Sequence, residues 1–254
     1  FSHMKGLVRW LYSRYCLAVF AIIFLIFFPF FWLSIQFDGG RKFALRLNHW
    51  WAAWFWRLSF IPVKQIYKAE LDPSKQYVFC ANHSSFLDIP LMGLCRNPFV
   101  FVGKSSLSKV PLFGYVFAKV HITVNRSSMK SKYASLQRAA QAIDQHISLV
   151  MFPEGGTEKN PPELEPFKDG AFRLAIEKQI PIVPVTIPYN WIILPSHQGL
   201  MVNRRTSVAI YHKPLPTEGL SLKDQESLKG QVTRIIKSEL LNHHPYGNQS
   251  GDVT

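Results

Sequence analysis

The sequence is poor in cysteine and in acid, and each shortage closes off a class of protein. Its 254 residues hold three cysteines, Cys16, Cys80 and Cys95, an odd number at irregular spacing. Such a set makes neither a disulfide framework nor a four-cysteine metal site, and it fits a reducing, cytosol-facing compartment. Asp and Glu number 16 against 29 Lys and Arg, a formal charge of +13. The basic residues are spread along the whole chain, with no zinc-finger spacing, basic zipper or RNP-like segment. Nucleic acid is therefore not an expected partner, and an anionic membrane surface or an anionic substrate accounts better for the charge. There is no Gly-x-Ser-x-Gly elbow, which a serine lipid hydrolase would need. No second His/Cys cluster is present to complete a metal site, so neither a metal nor a cofactor is expected.

The absence with the most structural consequence is that of charge between residues 15 and 37. A helix over that stretch is about 34 Å long at ~1.5 Å per residue, enough to cross a hydrocarbon core of ~30 Å. It is too long for a signal-peptide core and has no small-residue cleavage site after it. Pro29 is a candidate kink, or a point at which the segment re-enters the same leaflet. Gly39-Gly40 closes the segment. Trp50, Trp51, Trp54 and Trp56 follow, four of the seven tryptophans, in company with Arg41, Lys42, Arg46 and Arg57. Tryptophan with arginine favours the headgroup region, so residues 41–60 are expected to form an interfacial helix. Phe1, Ser2 and His3 read as an appendage before a native Met4. The expected division is a membrane-anchoring pair of helices over 4–60, one catalytic domain over 61–244 and a frayed tail over 245–254.

From about residue 62 short β-rich runs (77–81, 99–102, 148–152, 182–187 and 208–211) alternate with helical spacing. Tyr133, Leu136, Ala140, Ile143 and Ile147 recur at three and four, as do Leu228, Val232, Ile235, Ile236 and Leu240. The fold class expected is α/β, a mixed and largely parallel sheet flanked by helices, preceded by the membrane-embedded helical segment.

The first β-run leads into Asn82-His83-Ser84-Ser85-Phe86-Leu87-Asp88. A carboxylate folded back onto an imidazole fixes its tautomer and raises its basicity, leaving the other ring nitrogen to take a proton from an alcohol. His83 and Asp88 thus make the base and orienting groups of a triad whose hydroxyl comes from the substrate. The spacing alone is weak: a structural histidine capped by a turn aspartate has the same pattern. Cys80 suggests a rival, a Cys–His acyl enzyme, but it lies in an apolar strand, where a thiolate is disfavoured.

Several blocks in order make the pattern specific. Asn82, His83 and Asp88 form Asn-His-x-x-x-x-Asp. Lys104-Ser105-Ser106-Leu107 precedes Pro111-Leu112-Phe113-Gly114, and Arg126 follows. Phe152-Pro153-Glu154-Gly155 comes next, then Phe167-Lys168-Asp169-Gly170-Ala171-Phe172 and Ile180-Pro181-Ile182-Val183-Pro184-Val185. Over residues 77–190 this resembles the PlsC-type glycerolipid acyltransferase family. The resemblance implies a bacterial inner-membrane enzyme with its site toward the cytoplasm. It would move an acyl group from acyl-CoA or acyl-carrier protein to the sn-2 hydroxyl of a lysophospholipid acceptor, lysophosphatidate. His83 would deprotonate that hydroxyl while Asp88 orients it. Lys104 and Arg126 would hold the acceptor phosphate. Glu154 would bind the glycerol-phosphate or brace a basic residue, and the amides of Gly155 and Gly156 would cradle phosphate or the oxyanion. In one place the chain departs from the family: where the third motif usually continues Gly-Thr-Arg-Ser, it reads Gly155-Gly156-Thr157-Glu158-Lys159. An arginine is missing, which leaves Lys159 or Lys168 to compensate, or a different lysolipid as acceptor.

Overall fold

In the computed structural model of the chain the described residues are 2–37, 39–105, 108, 110–125, 127–157 and 161–243. Arg126 and the tail from 244 lie outside them, as does the Lys104 side chain. The described residues form one seven-stranded sheet and the helices that cover it.

The strands are β1 (Val63–Tyr67), β2 (Val78–Ala81), β3 (Phe99–Lys104), β4 (Ile122–Val124), β5 (Ser148–Met151), β6 (Ile182–Thr186) and β7 (Ser207–Tyr211), in the spatial order β1-β7-β6-β2-β5-β3-β4. Neighbours are parallel throughout except for β6 and β7. All of β2, β6 and β7 is buried, so these strands read as unbroken apolar runs, as expected when both sheet faces are covered. Strand β1 alternates in exposure at the sheet edge, and β4 is three residues long. Neither carries enough apolar periodicity to stand out in the sequence.

The helices are α1 (Ser2–Ser34), α2 (Gly40–Leu58), α3 (Asp88–Met92), α4 (Phe113–Val120), α5 (Met129–Asp144), α6 (Gly170–Glu177), α7 (Asn190–Ile193) and α8 (Gln225–Asn242). Helices α5, α6 and α8 pack on one another and on the sheet, while α3 and α4 pack under the α1–α2 hairpin. In α8 the buried residues are Leu228, Val232, Ile236 and Leu240, the expected face. In α5 they are Ser135, Ala139, Ala142 and Ile143, and Tyr133 is exposed. The small residues of α5 allow a close approach to the sheet, so the face is rotated from the one marked by its bulkier side chains.

Helix α1 runs without interruption through Pro29. It is long and apolar enough to cross a membrane, and an 18-residue stretch of it has a mean hydropathy of 2.8. Yet from Ser13 onward one face is buried, through Cys16, Ile23 and Phe24 to Phe31, and packs on the rest of the chain. Polar bonds hold its first half to the 198–202 loop. The Arg9 guanidinium donates to the Gln198 side chain (2.7 Å), and Ser13 Oγ accepts from the Val202 N–H (2.8 Å). Farther along, Phe20 and Phe24 meet Phe113 of α4. The opposite face, including Leu11, Ile22, Ile26, Phe30 and Leu33, is exposed and apolar. This geometry places α1 flat against the domain. The tryptophan cluster of α2 divides in the same way. Trp50 and Trp54 are exposed on the apolar side, whereas Trp51 and Trp56 are buried between the hairpin and the domain. Only half of the expected interfacial tryptophans therefore face outward, because helical spacing turns neighbours to opposite sides.

Candidate active site

Five strands, β2, β3, β4, β5 and β6, point the same way, so their carboxyl ends share one edge of the sheet. Open α/β sheets bind ligands outside that edge. His83 follows β2 by two residues and Glu154 follows β5 by three, while Lys104 ends β3. The central position of β2 and the parallel pairing thus bring together residues that are up to 71 positions apart in the chain.

Strand β2 ends where Asn82 takes over its ladder. Paired with β6 up to Ala81↔Val185, the chain then turns away. The Asn82 amide replaces a backbone unit: its Nδ2 donates to the Ile187 carbonyl (3.1 Å) and its Oδ1 accepts from the Ile187 N–H (2.7 Å). Both sheet groups stay satisfied, and the backbone from His83 to Asp88 is free to form the loop that leads into α3.

In that loop His83 Nδ1 lies 2.9 Å from Asp88 Oδ2. A carboxylate accepts, so the proton sits on Nδ1 and Nε2 is the basic nitrogen. Asp88 is completely buried, and four donors hold its charge. Besides His83 these are the N–H groups of Ser84 (2.8 Å) and Ser85 (2.9 Å) on Oδ2 and the Asn190 Nδ2 (2.8 Å) on Oδ1. Asn190 is in turn fixed by Ser207 Oγ, which donates to its Oδ1 at 2.6 Å. Four donors converging on a buried carboxylate satisfy its oxygens and place it to support an imidazolium beside it. The imidazole stacks on Phe152 with ring centroids 4.2 Å apart, and its side chain is 12% exposed. Its plane is fixed from one side and its access to solvent is narrow.

Glu154 is 6% exposed and holds backbone: Oε1 accepts from the His83 N–H (2.8 Å) and Oε2 from the Glu165 N–H (3.1 Å). It thereby positions the loop that carries the base. The Gly155 N–H, expected to face a ligand, donates to the Phe152 carbonyl (3.0 Å) and closes the turn. What Gly155 supplies is space. With φ +80° and no side chain, it lets the Lys168 ammonium come so near that a Cβ would stand 2.3 Å from Nζ. Of the two lysines left to compensate for the missing arginine, Lys168 is thus brought to the third motif, while Lys159 lies outside the described residues along with Arg126. Gly156 is in the bend that follows. Asn190 and Ser207, the support behind Asp88, carry no signal in the sequence, since a lone Asn and a lone Ser are commonplace until a fold brings them together.

Next to the loop, an apolar cavity of about 270 Å³ opens between the hairpin and α3, lined by Cys16, Leu17, Phe20, Phe55, Phe86 and Leu87, among others. Phe86 and Leu87 belong to the His83–Asp88 loop itself, so the loop that carries His83 also lines the cavity. Burial pushes the Cys80 thiol far above its usual range, which removes it as a nucleophile.

An imidazole backed by a buried carboxylate, with an apolar cavity beside it, is the equipment of an enzyme that activates a hydroxyl next to a greasy chain. Residues 62–188, half of the chain, match the model of the Acyltransferase family, and the chain belongs to that family. It is 30% identical over 214 residues to a 1-acyl-sn-glycerol-3-phosphate acyltransferase of Chlamydomonas reinhardtii, covering 82% of this chain and 62% of the relative. With the lyso-ornithine lipid O-acyltransferase of Pseudomonas aeruginosa it shares 29% identity over 211 residues, covering 77% of this chain and 78% of that one. The chain thus spans about three fifths of the algal relative's length. Its fold matches the crystal structure of the 1-acyl-sn-glycerophosphate (LPA) acyltransferase PlsC from Thermotoga maritima. The TM-score is 0.75 at 18% identity, over 98% of this chain and 99% of that one. The likeness shows the fold, with the hairpin included.

Proposed function

We propose that the protein transfers a fatty acyl group from a thioester donor to the free hydroxyl of a membrane lysophospholipid, with lysophosphatidate as acceptor and phosphatidate as product. The observation that carries this reading is the 2.9 Å His83–Asp88 pair on a loop whose Phe86 and Leu87 line an apolar cavity. His83 Nε2 takes the acceptor hydroxyl proton, and the imidazolium is held by Asp88. The alkoxide attacks the thioester carbonyl, and the tetrahedral intermediate collapses to an ester and a thiolate. The proton on His83 then goes to the departing sulfur, so the base is regenerated without a covalent acyl enzyme. The donor is acyl-CoA or acyl-carrier protein.

For the acceptor phosphate the proposed cations are Lys104, at the end of β3, Arg126, just after β4, and Lys168 at Gly155. The exposed apolar faces of α1 and α2 would lie in one leaflet of the bacterial inner membrane, so the acceptor reaches the cavity without leaving the lipid. A second acceptor, a lyso-ornithine lipid, is favoured by two observations. The third motif carries Glu158 beside the position of the missing arginine, and the Pseudomonas relative is named for a lyso-ornithine lipid. The deciding experiment is thiol release from an acyl-CoA or an acyl-carrier protein by detergent-solubilised protein, over a panel of lysolipid acceptors. Acceptor-dependent release that His83→Ala abolishes is expected, greatest with lysophosphatidate. Release indifferent to acceptor would make the protein a thioesterase and overturn the proposal.

A further inference from the structure

At the opposite edge of the sheet, where β3 and β5 begin, a separate cavity of about 420 Å³ is enclosed by α2 and the loops around Asn97 and His146. Its lining is basic. Lys42, Arg46 and His49 come from α2, Arg96 from the loop before β3, and His146 from the turn before β5, with no carboxylate among the lining residues. Among the described residues Lys42, Arg46 and Arg96 form no ion pair, although the chain makes several such pairs elsewhere. The Arg96 guanidinium lies 4.7 Å over the Tyr67 ring, which steadies it without neutralising it. His49 Nδ1 donates to the Gly93 carbonyl (3.0 Å), leaving Nε2 for a ligand. Gathering this many cations without a counter-ion costs repulsion that an anion would relieve.

Two observations say which anion. Trp50, 51% exposed, lines the cavity and belongs to the same outward face of α2 as Phe43 and Trp54. The basic cavity is therefore continuous with the apolar surface that the hairpin offers to lipid. Asn97, 1% exposed, also lines the cavity, and its Nδ2 is held by the carbonyls of Asp72 (3.0 Å) and Lys75 (3.5 Å). That fixes its Oδ1, which accepts no hydrogen bond among the described residues and suits a hydroxyl donor.

We infer that this cavity is a second lipid site, holding the headgroup of an anionic glycerophospholipid of the bilayer whose phosphate meets Lys42, Arg46 and Arg96 and whose hydroxyl meets Asn97. It is distinct from the acceptor site, and it rests on the proposal that the hairpin faces a bilayer. Its consequence is a fixed seating of the enzyme on anionic membrane.

The test is co-sedimentation of the full chain with vesicles of phosphatidylcholine alone and of phosphatidylcholine with phosphatidylglycerol. A cation at an anionic surface is worth about fivefold in affinity. Lys42→Ala with Arg46→Ala should therefore weaken binding to the anionic vesicles roughly 25-fold by the same rule and leave binding to phosphatidylcholine unchanged. The control pair Lys223→Ala with Lys237→Ala, exposed around α8, removes the same charge and should change binding by less than about twofold. Equal losses from the two pairs, or an equal loss on both vesicle types, would overturn the inference. If the double variant melts early, Arg46→Gln replaces it, with about a fivefold loss expected. Thiol release in neutral detergent should be the same for the cavity variant and the wild type, so failure of the lipid site and failure of the acyltransferase reading are told apart.

Discussion

Two histidines, His83 and His121, sit against aromatic rings in this protein and do opposite things. His83 stacks on Phe152, and His121 lies between Phe101 and Phe117. Behind His83 is a buried carboxylate with four donors. Facing His121 are only donors and neutral groups: its Nδ1 accepts from the Phe101 N–H (3.2 Å), and its Nε2 faces the Asn48 amide (3.3 Å). Because Nδ1 accepts from a backbone N–H, a proton added on that nitrogen would collide with its donor. Burial first, and then the charge of Arg41, pull the His121 pKa down to about 3. One ring has a carboxylate against it that would hold an added proton, and the other is prevented from gaining one and acts as a strut between α2 and β3. The difference lies not in the histidine but in the carboxylate next to it.

The sharpest way to break this comparison is to exchange the consequences. His83→Ala should lower acceptor-dependent thiol release by roughly 10²–10⁴-fold, the usual worth of a general base. His121→Gln should stay within a few fold of wild type per folded molecule. A large catalytic loss from the His121 variant would show that the distinction is misplaced.

Asp88→Asn probes the anion alone. It keeps the size of the side chain, but an amide cannot accept from all four donors, and it can leave the imidazole in the wrong tautomer. Release should fall by about 10²-fold or more with little change in acceptor KM, as steady-state kinetics would show.

Acid stability tests the strut. With its folded pKa near 3 and an unfolded value of 6.5, His121 binds a proton more readily in the unfolded chain. Its contribution is complete above pH 6.5 and is lost as the pH falls from there toward 3, by at most about 1.4 kcal/mol per pH unit. Urea unfolding of His121→Gln across that window should give a flatter acid limb than that of the wild type. Parallel limbs would remove His121 from the acid response.

The smallest effect concerns the seat of the hairpin. A Cβ on Gly93 would stand 2.8 Å from the Cβ of Ala52 in α2, so Gly93→Ala should force the two apart. A loss of about 1–3 kcal/mol is expected, read as a lower melting temperature, with acyl transfer in detergent weakened far less than by the loss of His83. An unchanged melting temperature would mean that the hairpin yields freely at this contact.

Parts of this arrangement were legible in the residues. The uncharged stretch before Asp38 and the alternation of β-runs with helical spacing gave the long apolar helix and the α/β class. The run from Asn82 to Asp88 gave the imidazole and carboxylate that the structure places 2.9 Å apart, because these groups are local in the chain and five residues place them on one loop. Hidden were β1 and β4, too polar or too short to show a period, and the outward split of the tryptophans. Hidden also was the rotation of the buried face of α5 away from Tyr133.

By itself, the sequence determined the chemistry available: one carboxylate next to one imidazole, an excess of cations, and more apolar surface near the N-terminus than a soluble domain can bury. Only the tertiary structure decided where these meet. Parallel pairing puts the ends of β2, β5 and β6 at one edge, so Glu154 holds the His83 backbone, and Asn190 with Ser207 holds Asp88 from over a hundred residues away. The physical reason is that hydrogen-bonded support of a buried charge has to come from all directions at once, and a single stretch of chain can supply it from only one.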